Sequence, residues 1–154
     1  MRKKYFRNKV AVITGAASGI GKEFALNLAK MGSNLVISDI NMEPLEEVKK
    51  EIETISQKVI AVKCDVTKQS DINNMAKLAI EKMGEIHFLF SNAGIAVGGL
   101  CQTLTITQWK RIISINVFGM IHVVRCFLPK FLEQGFGHII VTGSIASHLG
   151  VGGF

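Results

Sequence analysis

The sequence predicts an α/β domain in which helices cover both faces of a parallel sheet, the doubly wound arrangement. Short apolar runs alternate along the chain with longer amphipathic segments, which is typical of parallel strands joined by right-handed helical crossovers. A glycine-rich turn follows the first apolar run directly, and no internal repeat interrupts the order. With 154 residues, of which 48% are hydrophobic, the chain is long enough for one domain with a substantial core.

The predicted strands are the short apolar runs, each bounded by Gly, Asp, Asn or Ser. They lie at 10–14, 34–38, 58–63, 86–91 and 138–142. Three amphipathic helices are predicted between them, at 19–31, 43–55 and 70–83. Gly32 and Gly84 directly follow the first and the third of these helices, where glycine commonly ends a helix.

A fourth predicted helix, 107–133, carries apolar residues on every side. A helix of that kind must be covered on every side, yet the sequence holds nothing after the last strand that could cover it. That strand contains the uninterrupted apolar run HIIV, typical of a strand with neighbours on both sides. We therefore expect a sheet that is incomplete on its C-terminal side, and pairing through helix 107–133 with a second copy or a related chain.

The formal net charge of +6 is concentrated at the N-terminus. Five of the 18 basic residues precede the first strand, and the remaining 13 face 12 acidic residues. We interpret residues 1–9 as a basic, solvated tail and 10–154 as the folded domain, and we expect neither nucleic-acid nor membrane contacts. No run of 18 or more apolar residues is present, so no membrane span is expected.

The three cysteines are too few and too scattered for a disulfide framework. They are Cys64, Cys101 and Cys126. Neither the cysteines nor the histidines have the spacing of a metal site, so no metal is expected. This sparse and scattered use of cysteine indicates a reducing compartment, and the predicted location is the cytoplasm.

The motif VITGAASGIG, residues 12–21, carries the chemistry of the first half. Its glycines permit positive φ angles and let main-chain N–H groups approach a ligand that a side chain would keep away. The helix that begins within the motif adds free N–H groups and a positive dipole end, which suit a pyrophosphate. A glycine-rich turn without a ligand is the alternative. The predicted binding residues are Gly15, Ser18, Gly19, Ile20 and Gly21.

Two carboxylates follow the second and third strands. Asp39 comes about 20 residues after the glycine turn, where an acid can accept hydrogen bonds from ribose hydroxyls. It also repels a 2′-phosphate, and Ile40 offers no cation to bind one, so NAD is favoured over NADP. Asp65, with Val66 beside it, falls where the adenine edge would lie. Either aspartate could instead simply cap a turn.

The ordered set of motifs resembles the N-terminal part of the classical short-chain dehydrogenases/reductases. The motifs are TGAASGIG at 14–21, Asp39, CDV at 64–66, NAG at 92–94, NVFG at 116–119 and GS at 143–144. The resemblance covers essentially the whole chain. It implies a Rossmann-like sheet of about five strands in the order 3-2-1-4-5.

The resemblance also implies site roles in the second half. Asn92, Ala93 and Gly94 would lie beside the nicotinamide ribose and tie neighbouring strands together, the alternative being a plain strand-end turn. Asn116 would distort the long helix and hold a water of the proton relay with its backbone carbonyl. Ser144 would hydrogen-bond the substrate oxygen, unless it merely ends a strand.

The family's Tyr-x-x-x-Lys motif is absent from the sequence. In the family, this tyrosine gives or takes the proton of the substrate oxygen, and the lysine lowers its pKa from about 10. Here the only tyrosine is Tyr5, no lysine follows Lys130, and His148 is the sole titratable group near Ser144. We expect a truncated chain whose hydride transfer is severely impaired and whose last residues, 146–154, are poorly packed.

Two functions follow as hypotheses. The first is an NAD-dependent oxidoreductase that transfers a hydride between nicotinamide and an uncharged secondary alcohol or ketone. The second is a catalytically silent dinucleotide-binding module, or a truncated partner of a full-length relative. Binding of NAD with turnover of alcohols supports the first, and binding without turnover supports the second.

Overall fold

The computed structural model describes residues 3–55 and 58–148, and its centre is a five-stranded sheet in the order β3-β2-β1-β4-β5. All four strand pairings are parallel. The predicted fold class and strand order are therefore confirmed. The strands are β1 Val10–Thr14, β2 Asn34–Asp39, β3 Val59–Lys63, β4 Phe88–Ser91 and β5 His138–Val141.

Each strand lies within two residues of its predicted bounds, and β4 differs most because it begins at Phe88 rather than at residue 86. The backbone of Ile86 binds a side chain instead of a neighbouring strand. Its N–H donates to Oε1 of Gln134 at 3.4 Å, and its carbonyl accepts from Nε2 of the same residue at 2.5 Å. Ile86 is thus buried and satisfied outside the strand ladder.

Among the described residues, six α-helices accompany the sheet. They are α1 Lys3–Phe6, α2 Gly19–Lys30, α3 Met42–Glu53, α4 Gln69–Met83, α5 Ile106–Ile113 and α6 Met120–Gln134. A π-helical segment, Ser114–Gly119, joins α5 to α6 without a break. The single helix predicted at 107–133 is therefore three segments of one continuous helix.

The core is divided into two layers by the sheet, because alternate residues of a strand face opposite sides. Val12 of β1 packs with Ile72 of α4 and Phe127 of α6 on one face. Ile13 packs with Leu45 of α3 on the other face. All five residues of β1 are buried, as expected of a central parallel strand covered on both sides.

The helix Ile106–Gln134 exposes much of its apolar surface. Phe118 and Leu132 remain 52% and 72% exposed. The helix has 29 residues, with a window of mean hydropathy 1.7 of which 17% is buried, so by length and composition it could cross a membrane. This finding qualifies the expectation that the chain has no membrane span, which was drawn from the lack of an unbroken apolar run. It is weak evidence for a span, because core helices of soluble domains pass the same test.

The basic N-terminal segment is in part packed against the domain. The ring of Phe6 lies 5.2 Å from that of Phe88, and Nζ of Lys9 lies 4.0 Å from the ring centre of Tyr5. Asn8 donates its N–H to the Gly32 carbonyl at 2.8 Å, although its side chain is exposed. Residues 5–9 are thus less detached than a solvated tail. A domain boundary at residue 10 remains a prediction.

The C-terminal segment is described as far as His148. Ile145–Ser147 form one 3₁₀ turn, so the predicted poorly packed tail begins with local structure. Residues 149–154 of that prediction lie outside the described residues.

Candidate functional site

A cavity of about 770 Å³ opens at the carboxyl edge of the sheet. Its walls include the last residues of β2, β4 and β5 and the segments that follow β1 and β3. This volume lies in the range of ordinary small-ligand sites. Twelve of the thirteen predicted site residues line it, and the thirteenth, Gly21, is buried. The lining residues among them are Gly15, Ser18, Gly19, Ile20, Asp39, Asp65, Val66, Asn92, Ala93, Gly94, Asn116 and Ser144.

The glycine turn needs its glycines for two physical reasons. Gly15 and Gly19 have φ angles of +67° and +52°, which residues with a Cβ rarely adopt. A Cβ at Gly15 would also lie 2.8 Å from the Cα of Ala93, and one at Gly21 would overlap the Gly15 carbonyl. The turn is therefore closely packed against the segment that follows β4 and against the start of α2.

The first turn of α2 faces the cavity with its N–H groups available. Its N-cap, Ser18, makes no side-chain cap hydrogen bond, and the turn contains no acidic residue. The first N–H groups of a helix have no partner within the helix, and they carry a partial positive charge. At Gly19 a Cβ would meet nothing within 4 Å, so the open space lies directly beside this turn. This arrangement fits a pyrophosphate.

Asp39 caps two turns with one carboxylate. Its Oδ2 accepts from the Ala17 N–H at 3.1 Å, and its Oδ1 accepts from the Asn41 N–H at 2.9 Å. The capping alternative considered for this residue therefore describes part of its role. Each carboxylate oxygen has a second lone pair, so the group can still accept a ligand hydroxyl from the cavity that it lines.

Asp65 also caps a turn while lining the cavity. Its Oδ1 accepts from the Thr67 N–H at 3.0 Å and from Oγ1 of Thr67 at 2.7 Å. Burial raises the pKa of Asp65, but the bonds from Thr67 and the nearby charge of Lys68 outweigh it and hold the pKa below its usual value. The carboxyl group is therefore ionised at neutral pH, and it can accept a hydrogen bond but cannot donate one.

Asn92 ties three strand ends together. Its Nδ2 donates to the carbonyls of Thr14 and Gly15 at 3.1 and 3.3 Å, and its Oδ1 accepts from Oγ1 of Thr142 at 2.9 Å. Oγ1 of Thr14 in turn accepts the N–H groups of Asn92 and Ala93, at 3.0 and 3.1 Å. The strand-tying role expected of this motif is thus present in the hydrogen bonds, and Thr14 and Thr142 are the partners that sequence reasoning missed.

Asn116 lies in the π-helical segment, where distortion of the helix was expected. Its side-chain amide pairs with the backbone of Ile95, because Nδ2 donates to the Ile95 carbonyl and Oδ1 accepts the Ile95 N–H, both at 2.9 Å. A Cβ at Gly94 would lie 3.3 Å from Oδ1 of Asn116. The side chain therefore fixes the loop that follows β4, while a water held by the Asn116 carbonyl remains a prediction.

Ser144 lies at the cavity wall beyond β5 and begins the 3₁₀ turn, where its Oγ accepts from the Ala146 N–H at 3.1 Å. Its contact with a substrate oxygen remains a prediction. His148, weighed as a proton donor in the absence of a second tyrosine, is exposed and is not among the described residues that line the cavity.

Two titratable residues of the wall, Cys64 and Arg111, were not predicted as site residues. Cys64 is buried, and that burial, with smaller contributions from Asp71 and Asp65, raises its pKa to about 12. A thiol with such a pKa is a packing group and not a nucleophile. Arg111 of α5 also lines the cavity. In the sequence it resembled an ordinary helix charge, so only the fold reveals its position.

Within residues 3–55 and 58–148, no group of three or more His, Cys, Asp or Glu side chains is arranged to hold a metal ion. The polar groups that the cavity does contain include main-chain N–H groups, two aspartates and an amide network. These groups suit an organic ligand that carries phosphates and hydroxyls.

Comparison with known proteins gives consistent results. A family model described as short chain dehydrogenase matches residues 9–154. An uncharacterized oxidoreductase of Listeria monocytogenes is 41% identical over 140 residues, which are 91% of this chain and 56% of the relative. Cyclohexanol dehydrogenase of an Acinetobacter species is 39% identical over 148 residues, which are 95% of this chain and 59% of the relative.

Solved structures agree with the sequence relatives. A short-chain dehydrogenase/reductase from Burkholderia phymatum, crystallised in complex with NAD, superposes with a TM-score of 0.91 at 37% identity. The match covers 95% of this chain and 52% of that one. The chain thus spans about half the length of the curated relatives and of the solved structure that it matches.

Proposed function

Because this chain belongs to the short-chain dehydrogenase family, we propose that it is the dinucleotide-binding part of an oxidoreductase that uses NAD and a secondary alcohol or ketone. The observation that carries the proposal is the glycine turn at Gly15–Gly21. Its open main chain, the start of α2 and the carboxylate of Asp39 surround one end of the cavity.

Each part of the dinucleotide has a matching group in the cavity. The N–H groups of Gly19 and Ile20 would hold the pyrophosphate, and Asp39 would hold the adenosine ribose. Asp65 and Val66 would border the adenine. The segment Asn92–Gly94 would border the nicotinamide ribose. The positions of these residues around one cavity support this assignment.

We propose NAD rather than NADP as the cofactor. Asp39 is held in place by two N–H groups and faces the cavity with its negative charge. Such a charge repels the additional phosphate of NADP. Ile40 beside it is 53% exposed and carries no charge that could attract that phosphate.

When bound, NAD supplies the hydride acceptor at its nicotinamide ring. The chain's residues orient and shield that end of the cavity. The amide of Asn92 holds the ends of β1 and β5 together, and the Asn116 amide fixes the Ile95 backbone. Ser144, which lines the cavity, would hydrogen-bond a substrate oxygen. The loop 94–103 contains no charged residue, which supports an uncharged substrate.

Proton transfer is the weak step of this chain taken alone. Its one tyrosine, Tyr5, packs on Phe88 at the start of β4, at the edge of the sheet opposite to the cavity. A positioned acid or base contributes rate factors of about a hundred to ten thousand. We therefore propose cofactor binding with turnover slowed by about that factor.

A second candidate function is a silent dinucleotide-binding module that pairs with a related chain or a second copy. The exposed apolar surface of the helix Ile106–Gln134 favours it. We also propose a cytoplasmic location, which the three free cysteines support. We further propose that the chain binds neither nucleic acid nor a membrane.

Calorimetric titration and an alcohol panel separate these candidates. The chain is titrated with NADH and NADPH, and NADH production is then followed with uncharged secondary alcohols. Saturable binding of NADH with slow turnover supports the first proposal, and binding with no turnover supports the second. Turnover of alcohols at rates typical of oxidoreductases would contradict the slowed proton transfer.

A further inference from the structure

The cavity contains an imbalance of charge that the proposed function does not explain. Two aspartates, Asp39 and Asp65, line it. Within the described part of the chain, Arg111 is the one lysine or arginine among the lining residues. A dinucleotide carries two negative phosphates, so a single lining cation has a large influence on how strongly the cavity attracts its ligand.

The path of the long helix shows which end of the cavity Arg111 occupies. Gly119 packs directly on Val66, because a Cβ there would lie 2.7 Å from Cγ2 of Val66. Ile115 packs against the buried cluster that contains Val66 and Cys64. Arg111 precedes Ile115 by four residues, and residues four apart share one face of a helix. Arg111 lies about one turn before Ile115 and lines the same cavity, so we place it on the side of the helix that leads to the Asp65–Val66 wall.

The guanidinium group of Arg111 keeps its donors for a ligand. Among the described residues no carboxylate lies within 4.0 Å of it, although both Asp65 and Arg111 line the cavity. The side chain is exposed at the cavity rim. A planar guanidinium can stack on the face of an aromatic ring and still donate hydrogen bonds from its edge, which an ammonium group cannot do.

We propose that Arg111 binds the adenine end of the dinucleotide, with its guanidinium plane against the purine opposite Val66. The proposal rests on the proposed function and adds to it a residue that selects the adenine half of the ligand. Its positive charge also offsets the two aspartates when the phosphates enter.

The test compares two neighbouring cations of α5. Arg111→Met and Lys110→Met each remove one positive charge from the same helix, but only Arg111 lines the cavity. Each variant and the parent chain are titrated with NADH and with ADP-ribose, which retains the adenosine and both phosphates but lacks nicotinamide. Thermal unfolding confirms that both variants are folded.

We expect Arg111→Met to weaken both ligands by about three- to tenfold, and Lys110→Met to leave both affinities unchanged. The affinity of Arg111→Lys should lie between those of Arg111→Met and the parent chain, because the ammonium group restores the charge but not the stacking plane. An affinity of Arg111→Lys equal to that of the parent chain would overturn the stacking. If Arg111→Met lost affinity for NADH but not for ADP-ribose, Arg111 would lie at the nicotinamide end, which would overturn its assignment to adenine. Equal affinities of Arg111→Met and the parent chain would overturn the inference, whereas a parent chain that binds neither ligand would overturn the proposed function itself.

Discussion

At the scale of single residues, Asp39 combines an observed structural role with a proposed binding role. Its two oxygens hold the N–H groups of Ala17 and Asn41, which fixes the carboxylate at the cavity wall before any ligand arrives. A preorganised acceptor of this kind loses little freedom on binding. The residue that we propose discriminates between NAD and NADP is therefore also one that shapes the glycine turn.

Asp39→Ala should lower the affinity for NADH by about tenfold or more, because it removes charge-assisted hydrogen bonds to the ribose. It should weaken NADPH less or improve its binding, since the repulsion of the 2′-phosphate disappears. Calorimetric titration with NADH and with NADPH measures the ratio of the two affinities. Glu43→Gln, which removes a charge from the first turn of α3 nearby, is the control. An unchanged NADH to NADPH ratio in Asp39→Ala would contradict the role of Asp39.

His87 makes the stability of the domain depend on pH. Its Nδ1 accepts the Val10 N–H at 3.2 Å, so the bond requires the neutral ring. Burial lowers the pKa of His87 below its ordinary value of 6.5, and Lys9 lowers it further, while Glu85 acts in the opposite direction. The unfolded chain therefore binds this proton more readily than the folded chain does.

The sign of the effect follows from that difference. The contribution of His87 to the free energy of unfolding is complete above pH 6.5. It is lost as the pH falls from 6.5 towards the lowered pKa of the folded state. Urea unfolding between neutral and mildly acidic pH should show the free energy of unfolding decreasing in this window. His87→Phe should remove that part of the decrease. A parent chain and variant with parallel pH profiles would refute the assignment.

At the scale of elements, the junction of α5 and α6 is the least regular part of the fold and the one that shapes the site. The π-helical segment Ser114–Gly119 brings Asn116 to Ile95 and Gly119 to Val66. π-helical turns inside α-helices are frequent at functional sites. The close approach at Gly119 sets the distance between the long helix and the Asp65–Val66 wall of the cavity.

Gly119→Ala should lower the free energy of unfolding by about 1 to 3 kcal/mol, because its Cβ overlaps Val66 in a packed layer. Gly143→Ala is the matched control, since a Cβ there meets nothing within 4 Å. Urea unfolding of the two variants measures the difference. Equal stabilities of both variants would show that the helix moves away from Val66 without cost.

Sequence patterns predicted the elements better than they predicted the connections between them. The strands and the glycine turn could be located because apolar runs end at polar or small residues. The Thr14–Asn92 network could not, because its partners lie 78 residues apart in the chain. Arg111 was missed because a cation on a helix is usually solvated, and α1 was missed because a basic segment predicts a free end. The distortion at Asn116 was expected only through the family resemblance.

At the scale of the whole molecule, the helix Ile106–Gln134 exposes an apolar surface that no other part of the described chain covers. Phe118, Leu128 and Leu132 are all exposed on it. Exposed apolar patches of this kind commonly mark interaction surfaces. The surface lies outside the candidate cavity, so association and cofactor binding can be altered separately.

We expect the chain to self-associate through this surface. Leu132→Asp, at an exposed position that contributes little to the core, should shift the sedimentation profile towards the monomer without loss of NADH binding. Lys130→Asp, which changes a charge on the same helix but removes no exposed apolar side chain, is the control. A parent chain that sediments as a monomer at all concentrations would contradict the pairing.

The central claim is that the main chain at the Gly15–Gly21 turn and the carboxylate of Asp39 together hold a dinucleotide. Calorimetric titration of the folded chain with NADH tests it most directly. The account predicts saturable binding with one ligand for each chain. Absence of saturable heat at millimolar NADH, with circular dichroism showing an intact α/β fold, would contradict it.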